Sequence, residues 1–229
     1  MCDVSDHINS FTKNTNQMAI QFAILLFTIA VFALQYCYVK SSSATRLRSK
    51  SRTSVQSHGH LRKASQFLSR ATSTSSKSQS LTLARNALLE AETAVAFSPN
   101  DPAPLVLKAF ALDLLGRKTS ALRSLDSALA YRRGRSLAGR ERGDVLVKRA
   151  ELKIEVNKKR RVDSAIEDLK EALEELSGHG NDSAFCLLGE CYEWKGMSEE
   201  AKWAFEEALR VNPESVKARQ RLDILHKQN

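Results

Sequence analysis

The chain has 229 residues and a formal net charge of +9. That excess is local: residues 1–39 sum to −1, residues 40–89 carry ten Lys or Arg and no acid, and the remainder balances, so net charge says nothing about the surface of the folded part. Cys2, Cys37, Cys186 and Cys191 form no C-x-x-C pair and have no histidine at ligand spacing, which leaves out metal and thiol-redox motifs and fits a reducing compartment.

Residues 1–17 are polar and carry no structural signal. From Met18 to Val39 the chain is uncharged and mostly apolar; as a helix this run would span ~33 Å, against a hydrocarbon core of ~30 Å. Gln21, Gln35, Tyr36 and Tyr38 near its ends suit the interfaces. A cleaved signal peptide would need positive charge before the run. Instead Lys40, Arg46, Arg48, Lys50 and Arg52 follow it, so the expectation is a single-span anchor over 18–39, with 1–17 outside the cytosol and everything after residue 40 inside it.

Residues 40–79 read as a basic, Ser-rich linker, and nothing in its first part, 40–59, can build a core. Two roles stay open for its charges: attraction to an anionic leaflet, or a solvated spacer that only sets topology. Nucleic acid is disfavoured because no aromatic side chains interleave with the cations of 40–59. Ser54 and Ser65 stand beside basic residues and are candidates for phosphorylation. Within this stretch Leu61, Ala64, Phe67, Leu68 and Ala71 recur at helical spacing, which predicts a short amphipathic helix before the break at TSTSSKSQS.

Only about 140 residues, from Leu81 onward, carry patterning that can build a core. There the triplets Ala87-Ala91-Ala94, Ala121-Leu125-Ala128, Ala165-Leu169-Ala172 and Ala201-Phe205-Ala208 recur 34, 44 and 36 residues apart. Each marks the second helix of a pair. Leu105, Ala109 and Leu112, then Leu146 and Ala150, mark first helices, while the partner of the earliest triplet is hard to place because Ala71 and Ser75 match poorly. The stretched periods predict insertions in loops at Arg132 to Arg142, at Lys158-Lys159-Arg160-Arg161 and at Ser177 to Asp182.

The last unit, Asp182 to Ser215, is the clearest. Phe185, Leu188-Gly189 and Tyr192 line one helix and Ala201, Phe205 and Ala208 a second, with Gly196 between them, Ser198 available as a cap and Pro213 beyond the end. The pattern of aromatic, Leu-Gly, Tyr, Ala, Phe and Pro over 34 residues resembles a tetratricopeptide repeat, with Phe185 where Trp is usual. Val216 to Lys227, with Ala218, Leu222 and Leu225, predicts a C-terminal capping helix.

The resemblance implies an all-α solenoid of about three to four helical hairpins plus the cap over residues 80–229, and the uncharged run places a single transmembrane helix before it. The resemblance further implies a cytosol-facing adaptor that binds protein partners, the alternative being a structural tether or scaffold subunit without a defined peptide site. No enzyme motif, cofactor or metal is expected; His179 reads as a loop residue. In this family the hollow is lined by one stripe of each first helix, which here maps to Val106, Phe110 and Asp113, to Asp144, Val147, Glu151 and Ile154, and to Cys186, Glu190 and Glu193. None of these is Lys, Asn or Arg, so capture of a chaperone's carboxylate tail is not implied. Five acids among apolar neighbours predict a partner segment that is basic and partly apolar. The endoplasmic reticulum is the first choice of membrane and an organelle outer membrane the second.

Overall fold

A computed structural model of the chain describes residues 54–130, 137–176 and 181–228, and from the first 53 residues only Gln35. The expected anchor at 18–39, its basic flank at 40–53, and most of the loops at 131–136 and 177–180 therefore lie outside the described residues. Among the described residues no helix is long and apolar enough to cross a membrane.

These residues are helical throughout, without strands. In chain order they are α1 (54–73), α2 (Lys77–Phe97), α3 (Pro102–Leu114), α4 (Lys118–Leu129), α5 (Gly139–Glu175), α6 (Asp182–Trp194), α7 (Ser198–Val211) and α8 (Val216–Gln228). Consecutive helices pack as hairpins, and the buried side chains form clusters that run from one hairpin into the next.

The compact unit begins at Ser54, so the expected boundary at residue 80 falls inside α2. The predicted short amphipathic helix is the C-terminal part of a 20-residue helix, which is the missing first helix of the earliest pair. Its Ala64, Leu68 and Ala71 are buried. Ser57 Oγ donates to the Ala94 carbonyl at 3.3 Å, His60 Nδ1 lies 2.6 Å from Glu90 Oε2, and Ser80 Oγ donates to the Ala71 carbonyl at 2.8 Å. These three contacts tie α1 antiparallel to α2 along its length. Small Ala residues carry much of the buried face of α1, and such a face buries enough area only when a second Ala-rich helix lies close against it, here α2.

The turns follow their residues. Asp101 caps α3 by accepting from the Ala103 amide at 3.0 Å, with Pro102 at the first helical position. Gly116 and Gly196 close α3 and α6 in the left-handed region at φ +75° and +73°, where a side chain would be strained. Ser198 does not act as the expected cap: Met197 holds that position and supplies no side-chain bond.

α5 is a hairpin in itself. Asn157 breaks it with extended backbone (φ −163°, ψ 89°) and its Oδ1 accepts from the Arg160 amide at 3.2 Å, capping the second arm. Arg149 and Asp168, 19 residues apart, are hydrogen-bonded at 2.8 Å, whereas a straight helix would separate them by ~28 Å. Arms 139–156 and 158–175 are thus first and second helices of a pair. The loop expected at Lys158 to Arg161 is instead a helical turn, because Asn157 alone reverses the chain. Arg142 likewise lies in helix, bonded to Glu171 at 2.5 Å. Where the arms cross, a Cβ on Gly143 would stand 2.6 Å from Leu176 Cγ.

Four hairpins followed by α8 therefore make up the described unit: α1/α2, α3/α4, the two arms of α5, and α6/α7. Gly189 meets the buried ring of Phe205 at the last crossing, where an added Cβ would lie 2.7 Å from the ring. This is the close approach that the small residue implies.

Candidate functional site

The first helices of successive hairpins stand side by side, and between α1, α3 and the first arm of α5 they leave an open cavity of about 460 Å³. Leu68, Leu107, Phe110 and Leu114 form its apolar floor. Ser65, Ser69 and Thr72 line the α1 wall, and Asp113 and Lys148 close one end. Ser65, Ser69 and Thr72 fall at 3.5-residue average spacing, so one face of α1 carries all three hydroxyls.

The closed end is a chain of alternating charges. Asp113 Oδ1 accepts from Lys118 Nζ and Asp113 Oδ2 lies against Lys148 Nζ, both at 2.7 Å; Lys148 reaches Glu151 at 3.0 Å and Lys118 reaches Glu155 at 2.5 Å. Burial disfavours the Asp113 carboxylate, but the hydrogen bonds from Lys118 and Lys148 outweigh it and hold the group below the usual carboxylate range. Burial likewise works against the Lys148 charge, and Asp113 and Glu151 reverse the effect and raise it.

Of the ten residues on the expected stripe, only Phe110 and Asp113 line this cavity. Val106 and Ile154 are half-buried against the core. Val147 and Cys186 are buried within it and offer a partner no surface, because the stripe drawn from the family pattern runs closer to the packing face of those helices than to the hollow. Asp144 is exposed, and Glu151 pairs with Lys148.

The remaining acids meet α8. Glu190 Oε1 lies 3.0 Å from Lys217 Nζ, and Glu193 Oε2 lies 2.8 Å from Arg221 Nη2 in a close ion pair without hydrogen-bond angles. Burial pushes the Glu193 carboxyl up, with Arg221 opposing. At two steps an acid on one first helix faces a base on the helix that follows in the stack, α3 to α5 and α6 to α8. Four of the five acids thus already have a cation from this chain, and the acidic character expected of the hollow is largely cancelled.

The α1 wall was missed because residues 40–79 read as linker, although the period of Leu61, Ala64, Leu68 and Ala71 immediately before the Ala-rich α2 is the signal that could have found it.

Cys186 and Cys191 are free and buried. Burial pushes the Cys191 thiol up to about 12 and raises that of Cys186, which leaves both as thiols at neutral pH and poor nucleophiles. No group of His, Cys, Asp and Glu that could hold a metal ion occurs among the described residues.

Residues 182–215 match a family model described as tetratricopeptide repeat. No curated protein matches the sequence. Among solved structures, MamA residues 41 to end from Desulfovibrio magneticus RS-1 superposes with a TM-score of 0.60 at 18% identity, over 76% of this chain and 85% of that one. Pseudomonas aeruginosa pilF gives 0.60 at 18% identity, over 77% and 70%. YrrB, described as a TPR protein with an unusual peptide-binding site, gives 0.50 at 15% identity, over 63% and 72%. The described unit has a tetratricopeptide-like fold.

Proposed function

We propose that the protein is a membrane-anchored, non-catalytic adaptor that holds a peptide segment of a partner protein in the cavity between α1, α3 and α5. The observation that carries this reading is the apolar floor of Leu68, Leu107, Phe110 and Leu114, open to solvent and walled by hydroxyls. Burying an apolar side chain there gains about 25 cal/mol per Å², and the hydroxyls can bond to a peptide backbone. The peptide-binding site named for YrrB supports the use of such a fold for this purpose. With Asp113 and Glu151 already paired, the segment that fits is apolar and uncharged rather than basic.

Ser69 is exposed on the α1 wall, so Ser69→Arg should obstruct the cavity without disturbing the core. In titrations of residues 54–229 with Leu- and Phe-containing peptides of neutral, basic and acidic flanks, the neutral peptide should bind and Ser69→Arg should weaken it about tenfold or more. Equal affinity in Ser69→Arg would refute the site. A preference for the basic peptide would return the acids to the binding role that their ion pairs argue against.

Attachment to the membrane rests on the uncharged run at 18–39 and the cations that follow it, with the repeat unit on the cytosolic side. The full-length chain should stay with membranes in alkaline carbonate, and deletion of 18–39 should release it. Release of the intact chain would end this part of the reading. The endoplasmic reticulum remains the first choice of membrane.

A further inference from the structure

The second arm of α5 is longer than α4 and α7, the second helices of the hairpins on either side of it, though not than α2. It starts seven residues before Ala165, whereas α4 and α7 start three residues before Ala121 and Ala201. The added turn, ~6 Å of helix, is Lys158-Lys159-Arg160-Arg161. Lys158, Lys159 and Arg160 are exposed, Arg161 is half-exposed, and none of the four makes an ion pair among the described residues. The nearby acids are already engaged, Glu155 by Lys118 and Asp163 by Lys195, each at 2.5 Å. Arg117, in the α3–α4 turn beside Lys118, adds a cation to the same edge of the unit.

Apart from the contact of Lys158 with the Trp194 ring, this turn adds little to the stability of the fold. Its exposed side chains add nothing to the core, and four cations at the start of a helix oppose the helix dipole; α6 and α7 place Asp182, Glu199 and Glu200 at that position instead. A protruding hairpin tip also has no concavity to enclose a peptide. The ring that could stack on a base is taken, since Lys158 Nζ lies 3.8 Å from the centroid of Trp194. What an exposed cationic tip without counter-ions fits is an extended anionic surface.

We propose that Lys159, Arg160 and Arg161 form a second contact with the membrane, docking the tip of the α5 hairpin on anionic lipid headgroups. This rests on the reading of the chain as membrane-attached, while using residues separate from the anchor. Each basic residue held near an anionic leaflet raises partitioning about fivefold, so reversing two charges should lower it by more than a hundredfold.

The test uses residues 54–229, a unit whose core clusters are contained within it, in co-sedimentation with phosphatidylcholine vesicles with and without phosphatidylserine. Binding is expected only with phosphatidylserine, falling with salt, and lost in Lys159→Glu/Arg160→Glu. The variant's Tm should be unchanged or higher, because acids suit the start of a helix, so the loss is not unfolding. Arg123→Glu/Lys170→Glu makes the same change of net charge on exposed residues elsewhere and should bind far better than the tip variant. Equal loss in both variants, absence of vesicle binding, or tighter binding to polyglutamate or single-stranded DNA would each overturn the proposal. Carbonate extraction of the full chain reports on the anchor alone, so the two readings fail separately.

Discussion

Asp168→Ala should destabilise residues 54–229 by about 3 kcal/mol, at the low end of the range for removing one partner of a buried ion pair. Asp168 is 4% exposed and lies at the centre of the α5 hairpin, accepting from Arg149 Nε and Nη2 at 2.8 and 2.5 Å and lying 2.7 Å from Lys153 Nζ. Without the carboxylate, two largely buried cations face each other with little to offset them; Arg149 keeps only a longer contact of 3.4 Å to Asp126. Lys153 is further committed to the Ser164 carbonyl at 2.9 Å, so it cannot swing out without breaking a second bond. A compensating triple change, Asp168→Leu with Arg149→Met and Lys153→Met, should recover most of the loss, since apolar groups of similar volume often replace buried charge at no cost. Urea unfolding checks both. An unchanged midpoint in Asp168→Ala would mean that the arms of α5 are not held at this point.

The second large effect is expected at Gly189. Even Gly189→Ala should cost about 1–3 kcal/mol, because its Cβ would lie 2.7 Å from two atoms of a Phe205 ring that is 0% exposed and has nowhere to retreat. Larger side chains should unfold the α6/α7 hairpin and loosen its neighbours, α5 and α8, since stacked hairpins depend on nearest-neighbour interfaces. Substitution of Lys195, exposed and bonded only across the surface to Asp163, should change the melting temperature little. Wild-type melting in Gly189→Ala would show that the ring is free to move.

Such close packing is what made much of the fold legible. Gly189, Ala201 and Phe205 report each other in the sequence because a two-helix crossing needs a small residue opposite a large one at fixed offsets, and residues 182–215 keep those offsets without insertion. The same periodicity located α3, α4, α7 and α8. It did not reveal that Lys158 to Arg161 are helical: a run of four cations resembles a solvated loop, and only the Asn157 cap and the facing arm show that the chain reverses at a single residue.

A stripe along the first helices could be drawn from the family pattern. Of the cavity's lining that stripe shares only Phe110 and Asp113, and it carried no sign of the cavity's charge state. Charge pairing is a relation between helices. Lys148, Lys217 and Arg221 lie 35, 27 and 28 positions beyond Asp113, Glu190 and Glu193, and no local period links a residue to a counter-ion on the next hairpin. The α1 wall was hidden for the opposite reason, since its buried face is Ala-rich and its exposed face basic and hydroxylated, so that composition argued for linker.

Local spacing and residue size thus determined by themselves that this chain makes helical hairpins, where the last one lies and which residues cross in it, because those properties depend on neighbours a few positions away. Tertiary structure alone decided that the unit begins at Ser54, that α5 folds back at Asn157, and that four of the five acids on the expected stripe already face a cation of this chain. Each of these depends on which helix faces which. That is set by burial summed over the whole stack, and a linear reading carries no measure of it.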